Sequence, residues 1–527
     1  MKTYFGKKNH MRLTALVLMG LLYGSTASAD TNGTITAKDA DATGGVYTLT
    51  QDETRNLTKD NLMEGLYGIP KKFAALTNYH HQINNNKHAF QDFTIDLKGH
   101  TWTLGVTSKQ PPGPASAVTT IFAGPENKLT VKDSAGGGKL VLSATVENDA
   151  ASTVASAIWV ESPRVQQHGS ATVTFETPVE ITSVVNKRTG DYGSVYGVYA
   201  GTRADVTFKK LTMRDVAAEE DKYTVGLDLN GGDAKITADE VDIAGVKGDA
   251  VRLDRGGDDG EDEDGKISIK GGKIVAAADS TNTKKYYAVH GIKGTISLNE
   301  SQDRDFTVVG NMWTEESGII NASFTSAASH WKGAVYRKDG EMNLTLMKGG
   351  KWIHEVQSGD LAANTAFTGS HLNKLTGGTS MAPADVGVVQ QGMKDITIDS
   401  YSGNTRFLFE HDATTPTTIN GGKVTITEAE PNSHVVFSTA PSPNITAANQ
   451  ADVLNALANK LQYTDFKNGK QNLKGTAEIN EGLISSSAQW RYYVRRHHGR
   501  WQLPGTEAVE REFYDADHQH RSRGHGV

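Results

Sequence analysis

The strongest acidic cluster in the sequence is DRGGDDGEDEDGK at residues 254–266, with Arg252 just before it and Arg255 within it. Calcium prefers several carboxylate and carbonyl oxygens as ligands. However, the spacing of these acids fits neither an EF-hand loop nor a calcium-binding nonapeptide repeat. A solvated loop is the simpler interpretation, because like charges crowd together at low cost only in water.

A second polar stretch, NYHHQINNNKH at residues 78–88, carries three histidines, His80, His81 and His88. Histidine pairs that bind zinc from a helix stand four residues apart and have a matching acid nearby. Neither feature is present here, so a polar surface loop is favoured over a metal site.

A third stretch, GGTSMAP from Gly377 to Pro383, resembles the nucleophile segment of subtilisin-like proteases, with Ser380 as the nucleophile. A serine nucleophile needs a histidine base and an orienting acid, and His290 and Asp133 are the crude candidates. Neither lies in a convincing motif, and the stretch reads as a loop between strands. We therefore predict no catalytic, cofactor-binding or metal-binding residue.

Short strands and turns dominate the sequence that must position these residues. Runs such as FTIDL, KLTV, ADVTFKKLTM, KISIKGGKIVA and DITID alternate apolar and polar residues with a period of two. This alternation, rich in Val, Ile, Thr and Phe, is typical of half-buried strands. Gly, Asn and Asp interrupt the runs at intervals too short for helical crossovers.

One corner motif recurs along the chain. Gly-Gly-Lys followed by an apolar residue stands at 137–140, 271–274, 349–352 and 421–424, and Gly231-Gly232-Asp233-Ala234 is a near relative. Glycine supplies the positive φ of a tight corner, so the motif predicts a corner, an exposed lysine and an inward-facing residue that begins a strand. We predict an all-β fold, a right-handed parallel β-helix with a short helical insertion near the C-terminus. A string of antiparallel sandwiches is the alternative.

The N-terminus predicts export. Basic residues precede the apolar run LTALVLMGLL, and the small residues Ala27-Ser28-Ala29 form a cleavage site before Asp30. Residues 1–29 are therefore predicted to be a signal peptide. No later segment is apolar enough to cross a membrane, and a net charge of −7 argues against binding to nucleic acid. The absence of cysteine suits a chain that is threaded unfolded through a second membrane.

The rest of the chain divides into four expected regions. Residues 30–91 form an N-terminal cap, with helical propensity between 52 and 91, and residues 92–440 form the β-helix. Residues 441–488 form its C-terminal end, which includes the helix of ITAANQADVLNALANKLQ with Thr446 as its cap. Residues 489–527 form a tail that holds seven arginines and no lysine.

Two stretches carry a resemblance to a known family: ASHWKGAVYRKDGEMNLTLMKGGKW, and DITIDSYSGNTRFLFEHDATTPTTINGGKVTITEAEPNSHVVF. Over residues 326–481 the chain resembles the passengers of bacterial autotransporters of the pertactin-like class, and residues 92–325 are similar in style only. The resemblance implies a β-helical passenger displayed at the cell surface by type V secretion. It also implies that residues 441–488 act like an autochaperone, and that the outer-membrane assembly machinery is a partner during export.

The chain departs from this family at its C-terminus, where the family has an outer-membrane barrel. The tail after Ala488 has no period of two or of 3.6 residues. We interpret it as the out-of-frame product of a frameshifted or truncated gene, with a genuine basic, anion-binding tail as the alternative. If no reading frame after codon 488 encodes a barrel, the frameshift hypothesis fails.

The functional prediction is an adhesin that is not an enzyme, has no cofactor and binds host or bacterial surface proteins or glycans. The intact family lies at the cell surface or outer membrane, and a chain without its barrel would be secreted or periplasmic. Two alternatives stay open. One is a β-helical polysaccharide lyase or other glycan-acting enzyme, since such lyases combine acids with a basic residue such as Arg252 or Arg255. The other is a non-functional fragment.

Overall fold

The structure is a computed structural model of the whole chain. It describes residues 46–57, 72–77, 79–82, 87–90, 92–108, 116–125, 128–147, 153–162, 169–187, 193–218, 223–255, 264–277, 286–357, 367–412, 414–415, 417–439, 444–446, 448–464, 472–481, 484–490, 496–497 and 500–501. The predicted signal peptide and most of residues 489–527 lie outside these residues.

The described residues form strands and one helix. In chain order, the strands are β1 (Val46–Thr48), β2 (Glu53–Leu57), β3 (Lys72–Thr77), β4 (Tyr79–Gln82), β5 (Lys87–Phe90), β6 (Phe93–Asp96), β7 (Thr101–Ser108), β8 (Ser116–Ala123), β9 (Lys128–Lys132), β10 (Lys139–Val146), β11 (Thr153–Val160), β12 (Ala171–Asn186), β13 (Val195–Gly201), β14 (Ala204–Met213), β15 (Val216–Ala218), β16 (Thr224–Asn230), β17 (Lys235–Ala238), β18 (Val241–Val246), β19 (Asp249–Arg255) and β20 (Lys266–Ile269). They continue with β21 (Gly272–Ala276), β22 (Tyr287–Leu298), β23 (Phe306–Val309), β24 (Asn311–Phe324), β25 (His330–Gly333), β26 (Val335–Arg337), β27 (Glu341–Leu346), β28 (Lys351–His354), β29 (Gly369–Thr376), β30 (Gly387–Gln390), β31 (Asp395–Ser402), β32 (Asn404–Phe409), β33 (Val424–Ala429), β34 (Ser433–Thr439), β35 (Leu461–Tyr463), β36 (Leu473–Glu481), β37 (Ile484–Trp490), β38 (Arg496–His497) and β39 (Arg500–Trp501). The helix is α1 (Gln450–Ala458).

The strands stack in parallel, each pairing with the equivalent strand one coil further along the chain. The first sheet runs through β1, β6, β9, β12, β14, β17, β20, β22, β24, β27, β29, β31, β33 and β35. The second runs through β2, β7, β10, β12, β14, β18, β21, β23, β25, β28, β30, β32, β34 and β36.

The third sheet is shorter and runs through β3, β8, β11, β13, β16, β19, β22, β24 and β26. Long strands such as β12 and β22 bend from one sheet into the next. This parallel stacking confirms the predicted β-helix and excludes the string of antiparallel sandwiches.

One continuous core fills the coils from Leu49 to Ile479. Because side chains alternate across a strand, each strand contributes every second residue to this core. Side chains at equivalent positions of successive coils therefore stack inside the core. The rings of Phe175 and Phe208 stack with their centroids 5.0 Å apart, and those of Trp331 and Trp352 stack at 4.8 Å. In both pairs the ring planes are nearly parallel.

The Gly-Gly-Lys motifs form the corners that their sequence predicts. At Gly349-Gly350, the first glycine has φ +78°, and a Cβ on the second would overlap the carbonyl oxygen of Phe324 in the preceding coil. The first glycine thus allows a left-handed backbone conformation, and the second allows two successive coils to approach closely. Lys351 is exposed and Trp352 is fully buried, as predicted.

The N-terminal part differs from its expected helical character. In the part of residues 52–91 that the structure describes there are strands, β2 to β5, and no helix. The helical prediction is wrong there because Ala74 and Leu76 of β3 are buried against β8, and tertiary packing overrides weak propensity. Within the described residues, β1 and β2 already belong to the stack, upstream of the expected boundary at residue 92.

The predicted C-terminal helix is present as α1, and it buries Val453, Leu454 and Leu457 against the core. Thr446 is not its cap. The N-cap is Asn449, which makes no side-chain capping bond, and the Thr446 carbonyl accepts from the Asn449 and Gln450 amides in the turn before it. After α1 the coils continue through β35 and β36, and β37 adds to β36 antiparallel. No helix in the described part of the chain is long and apolar enough to span a bilayer.

Candidate functional site

The outward face of the third sheet carries an unbroken column of aromatic and charged residues. On each strand of this sheet the core takes alternate residues, such as Ile158 and Val160 of β11 or Val251 and Leu253 of β19, so the residue between them points away from the core. Register pairs these outward residues in one line: Phe122, Trp159, Tyr199, Asp228, Arg252, His290, Trp313 and Tyr336. We call this column the ladder.

Successive positions of the ladder lie about 4.8 Å apart, the spacing of hydrogen-bonded strands. Phe122, Trp159, Asp228 and His290 are buried, and the other four are half-buried. The ladder is therefore partly covered rather than fully solvated. Aromatic residues occupy both of its ends and ionisable residues occupy its centre.

The first aromatic end is a packed group of rings. The ring centroids of Trp159 and Tyr199 lie 4.2 Å apart. The Tyr196 ring contacts both of these rings edge to face. Tyr223 belongs to the group because its ring centroid lies 5.8 Å from that of Tyr196. This group forms an apolar cluster of its own, separate from the core of the coils.

His290 is held between two carboxylates in the centre of the ladder. Its Nδ1 lies 2.7 Å from Asp249 Oδ2, and its Nε2 lies 3.2 Å from Glu315 Oε1. Burial alone would lower the pKa of His290, but the hydrogen bonds that it donates to Asp249 and Glu315 raise this pKa above the usual value. The hydrogen bond from His290 in turn lowers the pKa of Glu315. These three residues join strands β19, β22 and β24.

Arg252 is held by acids and by a ring. One guanidinium nitrogen lies 3.0 Å from Asp254 Oδ2, and another lies 3.9 Å from Asp249 Oδ2. The guanidinium lies over the ring of Tyr223, 4.4 Å from its centroid, while the Tyr223 hydroxyl donates to Asp254 at 3.2 Å. A cation is thus bound by a carboxylate and an aromatic face together.

Asp228 is the most unusual residue of the ladder. Its side chain is fully buried, and neither carboxylate oxygen has a hydrogen-bond partner. Burial raises its pKa to about 8; Arg252 opposes the shift, and Asp254 and Asp249 add to it. Asp228 is therefore mostly an uncharged acid near neutral pH, beside a guanidinium whose Nε also has no partner.

The second aromatic end begins on His290. Trp313 stacks on the imidazole at 4.3 Å with the rings almost parallel, and Tyr287 lies 5.0 Å from Trp313. Tyr336 follows at 6.0 Å from Trp313 and makes an edge contact with Phe367. Among the described residues, β26 is the last strand of the third sheet in chain order.

Two residues considered on sequence grounds lie side by side in the ladder. Arg252 was weighed as the base of a glycan-acting enzyme and His290 as the base of a serine protease, and the register pairs them directly. Among the acids of residues 254–266, Asp254 and Asp264 are described; Asp254 binds Arg252. The side chains of Arg255, His80, His81 and His88 lie outside the described residues.

The structure does not bring the other protease candidates to His290. Asp133 accepts hydrogen bonds from the amides of Gly99 and Gly138 at a corner. Ser380 lies in a turn closed by Asp385, to which its amide donates at 2.6 Å. Both nitrogens of His290 are meanwhile engaged with Asp249 and Glu315.

Sequence reasoning missed Asp228, Asp249, Glu315 and the aromatic rings. Each is one outward residue in an ordinary alternating strand, such as Asp228 in TVGLDLN, and only the register between coils aligns them. A signal did exist, since aromatic residues are scarce in this chain, at 7%, yet they recur at outward positions of successive strands.

The outward column of the first sheet has fewer aromatic and charged side chains than the ladder. The outward column of the first sheet is mostly small and polar, and it includes a shallow depression of about 290 Å³ lined in part by Asn321, Asn343 and Lys374. Within the described ranges, no group of three or more His, Cys, Asp or Glu side chains is arranged to hold a metal ion.

The fold and this face define a parallel β-helix with a linear, aromatic and charged surface along its axis. No protein-family model, curated protein or solved structure matches the chain.

Proposed function

We propose that the chain is an exported β-helical passenger that acts as an adhesin, and that it binds a glycan along the ladder. The observation that carries the proposal is the straight column of aromatic and charged side chains from Phe122 to Tyr336. A ligand that repeats along its own axis can meet the same kind of contact at coil after coil.

The chemistry of the ladder supports a glycan as the ligand. Binding sites for small molecules and polymers combine apolar and aromatic surfaces with a few convergent polar groups. Half-buried rings such as Trp313 and Tyr336 offer flat apolar faces, and Arg252, Asp254 and Glu315 offer donors and acceptors for hydroxyl groups. Acidic and basic side chains lie side by side, since Arg252 and His290 contact Asp249, Asp254 and Glu315. This mixture suits a hydroxyl-rich chain better than a uniformly charged polymer.

Export and display complete the proposal. The signal peptide predicted at residues 1–29 and the lack of cysteine fit a protein that crosses membranes unfolded. A β-helix suits this route because each coil pairs mainly with its neighbours and can template the next. In the family that the chain resembles, the passenger lies at the cell surface.

The test is glycan binding by the purified chain and two ladder variants. We expect Trp313→Ala and Tyr336→Ala to weaken binding by about tenfold or more, because aromatic anchors usually dominate an interface. Thr307→Ala is the matched control, since Thr307 is a half-buried outward residue of β23 on the second sheet. Its affinity should equal that of the unmodified chain.

Circular dichroism would confirm that all three variants keep their strand content. Binding that survives both ladder substitutions, or that Thr307→Ala weakens equally, would overturn the assignment of the ligand to this face.

A glycan-cleaving enzyme is the second candidate, and one observation favours it. Uncharged Asp228 lies next to Arg252 and near His290, and perturbed pKa values of this kind gather at active sites. Assays for new reducing ends and for unsaturated products distinguish the two functions. An adhesin binds the polymer and releases neither product, whereas an enzyme releases one of them and loses this activity in Asp228→Asn.

A further inference from the structure

We infer that the centre of the ladder binds a positively charged group, and that the glycan it takes is one with free amino groups. This inference rests on the proposed function and narrows it to a ligand class. It depends on the balance of charges around Asp228, on the partners that Asp228 lacks and on the rings that surround it.

Acids outnumber bases at this point of the molecule. Asp228, Asp249, Asp254 and Glu315 converge there with Arg252 and His290, and Lys338 reaches Glu315 from the edge at 3.9 Å. Three of the acids, Asp249, Asp254 and Glu315, already contact the two central bases. The acid that remains, Asp228, has no hydrogen-bond partner for either oxygen.

The protein itself shows how this site holds a cation. The guanidinium of Arg252 lies on the face of Tyr223 and bonds to Asp254. An ammonium group needs the same two things, an aromatic face and a carboxylate. Asp228 supplies the carboxylate, and Tyr199, its neighbour in the ladder, supplies a half-buried ring.

Binding of a cation must change the protonation of Asp228. The ionisable groups that influence it are Arg252, Asp249 and Asp254 of β19, His290 of β22, and Tyr196 and Tyr223. A second cation beside Asp228 favours its charged form. Binding of an ammonium group near neutral pH should therefore release a proton from Asp228 to the buffer.

Titration calorimetry with two probes tests the inference. The probes are a fully deacetylated glucosamine oligomer and the N-acetylated oligomer of the same length. We expect the amino form to bind at least about tenfold more tightly. Its apparent enthalpy should change between two buffers of different ionisation enthalpy, which reports the released proton, and the acetylated form should show no such change.

Asp228→Asn keeps the size of the side chain and removes its ionisation. This variant should lose the preference for the amino form and the proton release, so that its affinities for the two oligomers become equal within error. Thr307→Ala should behave like the unmodified chain in both titrations. A melting curve of Asp228→Asn shows whether the variant is folded.

The outcomes separate the inference from the proposed function. Equal binding of both oligomers, dependent on Trp313 but not on Asp228, overturns the inference and leaves the glycan adhesin in place. Binding of neither oligomer, with other glycans bound through Trp313, also overturns only the inference. Failure to bind any glycan overturns both.

Discussion

At the scale of single residues, the ladder concentrates ionisable groups in unusual states within a few coils. Burial raises the pKa of Asp228 to about 8, and hydrogen bonds to two carboxylates raise the pKa of His290 above its usual value. Elsewhere the acids do ordinary structural work, as Asp133 does when it accepts amide hydrogen bonds at a corner. Perturbed groups that gather at one place suggest a functional site more strongly than scattered ones do.

The buried Asp228 makes the stability of the protein depend on pH. Burial raises its pKa in the folded chain to about 8 from the ordinary value of 3.8, so the folded state binds its proton more strongly than the unfolded state. The free energy of unfolding therefore falls as pH rises from about 4 to about 8. Asp228→Asn should remove this part of the slope.

Denaturant unfolding at a series of pH values checks this prediction. At alkaline pH the variant should exceed the unmodified chain in stability by an amount on the order of a few kcal/mol, and the difference should shrink toward acidic pH. Parallel pH profiles for the two proteins would show that Asp228 is not the buried acid described here.

The sequence names two residues of the site without predicting the site itself. Arg252 is a candidate because it lies near the acidic cluster at 254–266, and His290 because it falls between Asp133 and Ser380 in the order acid, base, serine. Asp228 and Trp313 did not stand out, because alternation shows that they face outward but not which outward residues become neighbours. That information lies in the register between coils, which depends on the lengths of the intervening loops.

At the scale of elements, the corners explain the local sequence. In the four Gly-Gly-Lys motifs, the lysine is exposed and the following apolar residue is buried. Corner chemistry is local, so the sequence predicts it well. The sequence does not predict strand β3, because burial against β8, and not the helical propensity of its own residues, determines its secondary structure.

The second glycine of a corner should tolerate no side chain. In Gly350→Ala the new Cβ would overlap the carbonyl oxygen of Phe324, and backbone cannot move aside as a flexible side chain can. We expect this variant to lose about 2 kcal/mol or more. Gly291→Ala is the control, because its nearest neighbour would be Ile320 at an ordinary 3.4 Å.

Thermal unfolding of both glycine variants measures the effect. Gly291→Ala should melt close to the unmodified chain or slightly above it, since alanine restricts the unfolded state. If Gly350→Ala melted with the control, the two coils would not be packed as closely as the structure has them at this corner.

At the scale of the whole molecule, a parallel β-helix follows from repetition. No single strand specifies it, but many short strands with glycine corners and no crossover helices leave few other arrangements. In the described residues, the third sheet runs to β26, whereas the first and second sheets continue to β35 and β36. The sequence does not reveal this difference, since it depends on where each coil turns. The described part of the ladder runs with the third sheet to Tyr336.

The C-terminal helix should stabilise only the coils it covers. Val453, Leu454 and Leu457 of α1 close the core beside β34 and β36, and terminal caps are required where a stack of repeats would otherwise expose its interior. Leu457→Asp places a charge in that buried contact. Because coils contact mainly their neighbours, we expect the damage to stay local.

Hydrogen exchange resolved by peptide tests this expectation. In Leu457→Asp, protection should fall in β32 to β36, while β13 to β24 and glycan binding at the ladder stay unchanged. Asn455→Asp is the matched control, since Asn455 is exposed on the same helix. A loss of protection spread evenly over all coils would mean that the solenoid unfolds as one cooperative unit, and the ladder would then depend on the distant cap for its geometry.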